Sequence, residues 1–119
     1  MVRLILGVRS HLSPRLQMAL SMYYVYILKS SKSGIFYTGL TTDLRRRFQE
    51  HNTGLSFATK PYIPWMLAYY SAFETQKLAK DFELYLKSGS GKAFMKKRLV
   101  SGVLAKDVSL EDVPSEVST

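Results

Sequence analysis

Nineteen residues near the front of the chain, MYYVYILKSSKSGIFYTGL (22–40), constrain the fold more than any other stretch. MYYVYILKS (22–30) is dense in aromatic and β-branched residues and lacks a helical repeat, so it predicts a strand. SKSG (31–34) has the composition of a turn, and IFYTGL (35–40) predicts a second strand. Two strands joined by so short a turn form an antiparallel hairpin. Gly39, near the end of the second strand, marks a bend or a place where another group approaches the backbone.

A helix is expected next. Thr41 or Thr42 suits its N-cap, and Asp43 adds negative charge where the helix dipole favours it. Leu44, Phe48 and His51 share one stripe at i, i+4, i+7. At about 100° per residue, Arg46 points away from that stripe, and Arg45 and Arg47 flank it, each about 80° from its centre. Arg46 is therefore expected in solvent, and one of the flanking arginines over the neighbouring sheet.

NTGLSFATKPYIP (52–64) reads as a loop, and WMLAYYSAF (65–73) as a third strand. TQKLAKDFELYLK (75–87) predicts a second helix, capped by Thr75, with Leu78, Phe82, Tyr85 and Leu86 as its buried stripe. Glu83 falls about 100° from the centre of that stripe, at the edge of the core. SGSG (88–91) ends this helix, and KAFMKKRL (92–99) predicts a short basic third one. The order β-β-α-β-α-α gives an α+β fold: a small three-stranded antiparallel sheet flanked by helices.

Charge and composition narrow the function. The 119 residues carry a formal net charge of +8 and no cysteine, which excludes disulfides and thiolate chemistry and is compatible with a cytoplasmic location. With only His11 and His51, a metal would be a hard cation on oxygen ligands. Residues 1–21 hold three arginines and no acid, an N-terminal extension that reads either as a transit-like segment or as sequence upstream of a natural start at Met22. Residues 22–100 carry 13 basic and five acidic residues, hence the whole excess of +8. Residues 101–119, with one lysine and four acids, read as a loose acidic tail. A basic domain of this kind favours a polyanion, most often nucleic acid. No apolar run approaches the ~20 residues of a membrane span, so no membrane partner is expected.

Among eight tyrosines, Tyr26 and Tyr37 stand out because adjacent hairpin strands can bring their hydroxyls together. Arg47 offers a planar fork for a phosphate, and Glu83 a hard carboxylate for magnesium. Each has a plain alternative: Arg47 as a surface residue, Glu83 as the i, i+4 ion-pair partner of Lys87.

Together these residues resemble the GIY-YIG nuclease domain. YVYIL matches its first motif through Tyr24-Val25-Tyr26, and YTG its second through Tyr37-Thr38-Gly39. Arg47 follows Tyr37 by ten residues, the spacing of the family's arginine, and LAKDFELYLK resembles the helix that carries its metal-binding glutamate, at Glu83. GLTTDLRRRFQEHN and LKSGSGKAFMKKRL look like the small stand-alone, YhbQ-like or excision-repair-nuclease-like branch. The resemblance covers about Met22 to Leu99. Two departures stand: Tyr24 replaces the first motif's glycine, and a later polar residue, often asparagine, has no assigned match.

The resemblance implies a Mg²⁺- or Mn²⁺-dependent endonuclease acting on DNA, including structured or damaged DNA and so repair, as a monomer, with RNA left open. It implies Tyr37 as general base, Tyr26 as its helper, Arg47 as phosphate stabiliser and Glu83 as metal ligand. His51 would orient a tyrosine or contact phosphate, or simply be a half-buried helix histidine. Arg45, Arg46, Lys87, Lys92 and Lys96 would grip the nucleic-acid backbone. The alternatives are a binding module without cleavage and a structural protein whose basic face is incidental.

Overall fold

The computed structural model describes residues 22–101; the expected N-terminal extension and all but the first residue of the acidic tail lie outside the described residues. Strand β1 (Tyr23–Ser30) runs antiparallel to β2 (Phe36–Thr41) on one side and to β3 (Trp65–Phe73) on the other, so the sheet order is β2-β1-β3. Helix α1 (Leu44–Asn52) lies between β2 and β3 in the chain. Helix α2 (Gln76–Lys87) follows β3, and α3 (Gly89–Phe94) runs on into a wider turn at Met95–Leu99. The fold is α+β, as the sequence pattern predicts.

Central strand β1 explains its own composition. Tyr24, Tyr26 and Leu28 point to one face and pack with Leu44, Trp65 and Leu67; Val25 and Ile27 point to the other and pack with Ala68, Ala79, Leu86 and Met95. Helices cover both faces, so the strand reads as a continuous apolar run rather than an alternation. Each such large side chain contributes about 1.5–3 kcal/mol by leaving water.

Three local expectations change. The N-cap of α1 is Asp43, whose carboxylate accepts the Arg46 N–H at 3.2 Å, rather than Thr41 or Thr42. Thr41 ends β2 instead, and its hydroxyl accepts the Asp43 N–H at 3.1 Å. The α2 stripe is Ala79, Glu83 and Leu86, with Phe82 half-buried, while Leu78 (55% exposed) and Tyr85 (42%) face outward. Ser88 closes α2 but also caps α3, accepting the Gly91 N–H at 3.1 Å, so SGSG starts a helix as well as ending one. Thr75 caps α2 as expected, accepting the Leu78 N–H at 3.2 Å.

Candidate active site

The site is built from the hairpin outward. Tyr26 pairs with Gly39 across the β1–β2 ladder, and a Cβ on Gly39 would collide with the Tyr26 hydroxyl and ring. Only glycine lets that ring lie across the neighbouring strand, which accounts for the close approach predicted at this position. Tyr37 shares the face, two residues along β2. Its ring lies 6.4 Å from that of Tyr26 and 5.1 Å, edge-on, from His51.

His51 is fully buried, held between Tyr26 and the loop after α1. Its Nε2 lies 2.8 Å from the Tyr26 hydroxyl, and its Nδ1 lies 2.8 Å from Thr59 Oγ1. The neutral ring donates through one nitrogen and accepts through the other, so it joins the Tyr26 and Thr59 hydroxyls in one hydrogen-bonded chain. Burial, aided by the nearby Arg47 charge and opposed by Glu50, lowers the His51 pKa to about 4, so the ring is neutral at pH 7. Burial likewise pushes the Tyr26 phenol well above its ordinary range, with Tyr37 adding and Arg47 opposing.

Arg47 leans over the sheet and Arg46 projects into solvent, as the helical angles predict; the Arg46 side chain is 68% exposed. The Arg47 guanidinium donates to Glu50 at 2.9 Å. That bond holds its pKa above the ordinary value against desolvation, and Tyr26 adds to the effect.

Glu83 is more buried than expected, at 5% exposure, because both carboxylate oxygens are matched. Lys80 donates to one and Lys87 to the other, each at 3.0 Å. Burial pushes its pKa up, but the bonds and charges of the two lysines outweigh this and hold it below the ordinary carboxylate value. Its charge still reaches Tyr26. The plain alternative, pairing with Lys87, is thus present, and Lys80 joins it from the i, i+3 position.

Among the described residues no cluster of three or more His, Cys, Asp or Glu is arranged to enclose a metal. Mg²⁺ does not require one, since it keeps several waters and binds through one or two carboxylates plus substrate phosphates. A single hard carboxylate fits such an ion, provided a lysine yields an oxygen. Lys87 is about half exposed and lines the adjacent groove, so it has room to do so.

That groove, about 550 Å³, runs between β2 and α2–α3. Tyr37, Lys87, Lys92 and Lys96 line it over an apolar floor of Phe36, Leu86 and Met95. The predicted residues fall into two neighbouring groups: Tyr26, Tyr37, Arg47 and His51 on the α1 side, and Glu83 with the groove lysines on the α2–α3 side. Arg45 and Arg46 lie on α1 outside the groove lining. Sequence reasoning passed over Thr59 and Lys80; the i, i+3 spacing to Glu83 was a usable signal for Lys80, whereas Thr59 is one polar residue in a polar loop.

Comparison with known proteins bears on this geometry. Residues 22–98 match the GIY-YIG catalytic domain. The chain belongs to the GIY-YIG family. Relatives include a UPF0213 protein of Streptococcus agalactiae, 38% identical over 71 residues, covering 59% of this chain and 80% of the relative. UPF0213 proteins of Haloquadratum walsbyi and Clostridium perfringens are each 39% identical over 67 residues, covering 56% of this chain and 74% and 71% of the relative. Membership in this family gives the chain a nuclease-type fold of the small stand-alone kind. Among the described residues no helix is long and apolar enough to cross a membrane.

Proposed function

We propose that this protein is a divalent-metal-dependent endonuclease that hydrolyses phosphodiester bonds in DNA. One observation carries the reading: a partly exposed Tyr37 sits at a basic groove, in ring contact with a buried, neutral His51 that fixes Tyr26. In this assignment Tyr37, having lost its phenolic proton to solvent, takes a proton from water as the water oxygen attacks phosphorus; the bond to the leaving oxygen breaks and that oxygen takes a proton from solvent. Tyr26 and His51 are positioning residues. The buried histidine holds the Tyr26 hydroxyl in place, and the Tyr26 oxygen accepts from Arg47. His51 is too deeply buried to contact phosphate, which favours its orienting role. Arg47 neutralises charge developing on the phosphoryl oxygens. Glu83 would hold Mg²⁺ or Mn²⁺, which supplies charge neutralisation at the phosphate and the leaving oxygen. Arg45, Arg46, Lys87, Lys92 and Lys96 grip the backbone. A cytoplasmic role on structured or damaged DNA, by a monomer, completes the proposal.

The test is metal-dependent nicking by purified protein. Glu83→Gln removes the charge that would hold the metal, and Tyr37→Phe removes the proton carrier. Each should cut cleavage by ~10²-fold or more while leaving DNA binding nearly intact. Arg47→Lys should also fail, because an ammonium cannot reproduce the fork. Equal cleavage by wild type and Glu83→Gln would overturn the site. The second reading, binding without cleavage, draws on the two lysines that occupy Glu83. Tight DNA binding with no cleavage under any divalent metal would favour it.

A further inference from the structure

The loop between α1 and β3 displays the two most exposed large apolar side chains among the described residues, Leu55 (75%) and Phe57 (91%). A single exposed apolar residue is unremarkable in itself. This loop differs because it is tied down around its tip. The Asn52 side chain accepts the Trp65 N–H at 2.6 Å and donates to the Trp65 carbonyl at 3.1 Å. The Trp65 indole N–H donates to the Thr59 carbonyl at 3.0 Å, and the Ser30 hydroxyl to the Tyr62 carbonyl at 2.7 Å. The Thr59 hydroxyl is also hydrogen-bonded to His51 Nδ1 at 2.8 Å. An apolar tip held out in this way is presented, not merely uncovered.

Its position gives it a target. Phe57 is two residues from Thr59, so their Cα atoms are at most about 7 Å apart. Thr59 bonds His51, which packs on Tyr37. Lys60, exposed on the same loop, runs its stem past Gly54, where a Cβ would touch it, and adds a cation beside the apolar tip. Residues 22–100 carry a basic excess of +8, so the chemistry matching an aromatic beside a cation here is a base stack with its phosphates.

We propose that Phe57, flanked by Leu55, is a wedge that inserts between bases of the DNA whose phosphate is presented to Tyr37, while Lys60 holds the backbone. Opening an intact base step costs unstacking energy, and a nick or branch has lowered that cost already. The wedge therefore selects DNA with an interrupted stack. This inference rests on the nuclease reading for the position of the scissile phosphate.

The test is binding by the full-length wild-type chain in EDTA, so that no DNA is cut. Fluorescence anisotropy compares an intact duplex with the same duplex carrying one nick, and 2-aminopurine beside the nick reports unstacking. Wild type should prefer the nicked duplex by about tenfold, the scale of one aromatic–base stack, and should raise the 2-aminopurine signal. Phe57→Ala should lose both effects without changing the salt slope, since Phe57 contacts no phosphate. Phe57→Trp should keep them. Circular dichroism verifies that each variant is folded. A Phe57→Ala protein that keeps the nick preference, or a wild type without one, overturns the wedge. If Glu83→Gln abolishes cleavage while Phe57→Ala binds like wild type, the wedge falls and the nuclease reading stands. If wild type cleaves no DNA under any divalent metal while Phe57→Ala loses the preference, the nuclease reading falls and the wedge stands.

Discussion

Lowering the pH from 7.5 to 5.0 should cost this fold about 2 kcal/mol of stability, with His51 as the cause. In the folded protein its pKa is lowered from 6.5 to about 4 by burial, with Arg47 adding and Glu50 opposing. Between those values the unfolded chain holds a proton on His51 that the folded chain lacks. Stability therefore rises with pH across that interval and is lost as pH falls from 6.5 toward 4. The full interval amounts to about 3 kcal/mol at 1.36 kcal/mol per unit, a large share of the 5–15 kcal/mol typical of a domain. Glu83 does not interfere in this window. Its pKa lies below the ordinary 4.5, so its contribution is present above 4.5 and is lost only in stronger acid. Urea melts at pH 7.5 and 5.0 provide the measurement. Trp65, the chain's one tryptophan, is buried beside Tyr37 and reports unfolding directly. His51→Gln should flatten the dependence, and His11, common to both proteins, cancels. A wild type equally stable at both pH values, or a His51→Gln protein with the wild-type slope, refutes the assignment of a buried neutral imidazole.

Gly39→Ala should destabilise the domain by about 1–3 kcal/mol, read from the melting temperature, because the new methyl meets the Tyr26 ring and hydroxyl. An unchanged melt would mean the ring is free to move aside. Replacing Arg45 and Arg46 by alanine should reduce the log–log salt slope of DNA binding by up to ~2, at ~0.9 per phosphate contact, whereas an unchanged slope would mark them as ordinary solvated charges. Lys87→Ala should strengthen Mn²⁺ binding without DNA, measured calorimetrically, by up to about fivefold, the worth of a partly exposed ion pair. Weaker or unaltered binding would show that Lys87 does not compete for Glu83.

The strands were legible because their physics is local. Tyr23–Ser30 is apolar on both faces, and Trp65–Phe73 ends where Glu74 and the Thr75 cap begin, so period and punctuation agreed. The α1 angles were legible too: three consecutive arginines cannot all face one way, and Arg46 and Arg47 separated as helical geometry requires. What failed depended on tertiary partners. Glu83 looked too polar for a core stripe, but two lysines one turn away on either side make its burial tolerable, and Leu78 and Tyr85 are left outside. The depth of His51 was likewise hidden. It depends on Thr59, eight residues on, and on Tyr26, twenty-five residues back, and neither contact has a periodic signature.

At rest the site's charges are satisfied among themselves. Arg47 is held by Glu50, and Glu83 by Lys80 and Lys87, so the cation fork and the carboxylate are each partly occupied. A phosphate entering the groove competes for Lys87, which lies in its wall along with Lys92 and Lys96. Drawing Lys87 toward phosphate leaves one Glu83 oxygen without its partner, and a buried carboxylate in that state gains most from a new cation. On the proposed function, a divalent ion and a phosphate would then be favoured together more than either alone, because each would relieve the charge the other leaves unmatched. By the same logic Glu50 limits Arg47 until a phosphate offers it a better bidentate partner. The pairings that supply the plain structural account of Arg47 and Glu83 are thus compatible with a catalytic one: they keep two charged groups in place at low cost until a substrate of matching charge exchanges partners with them.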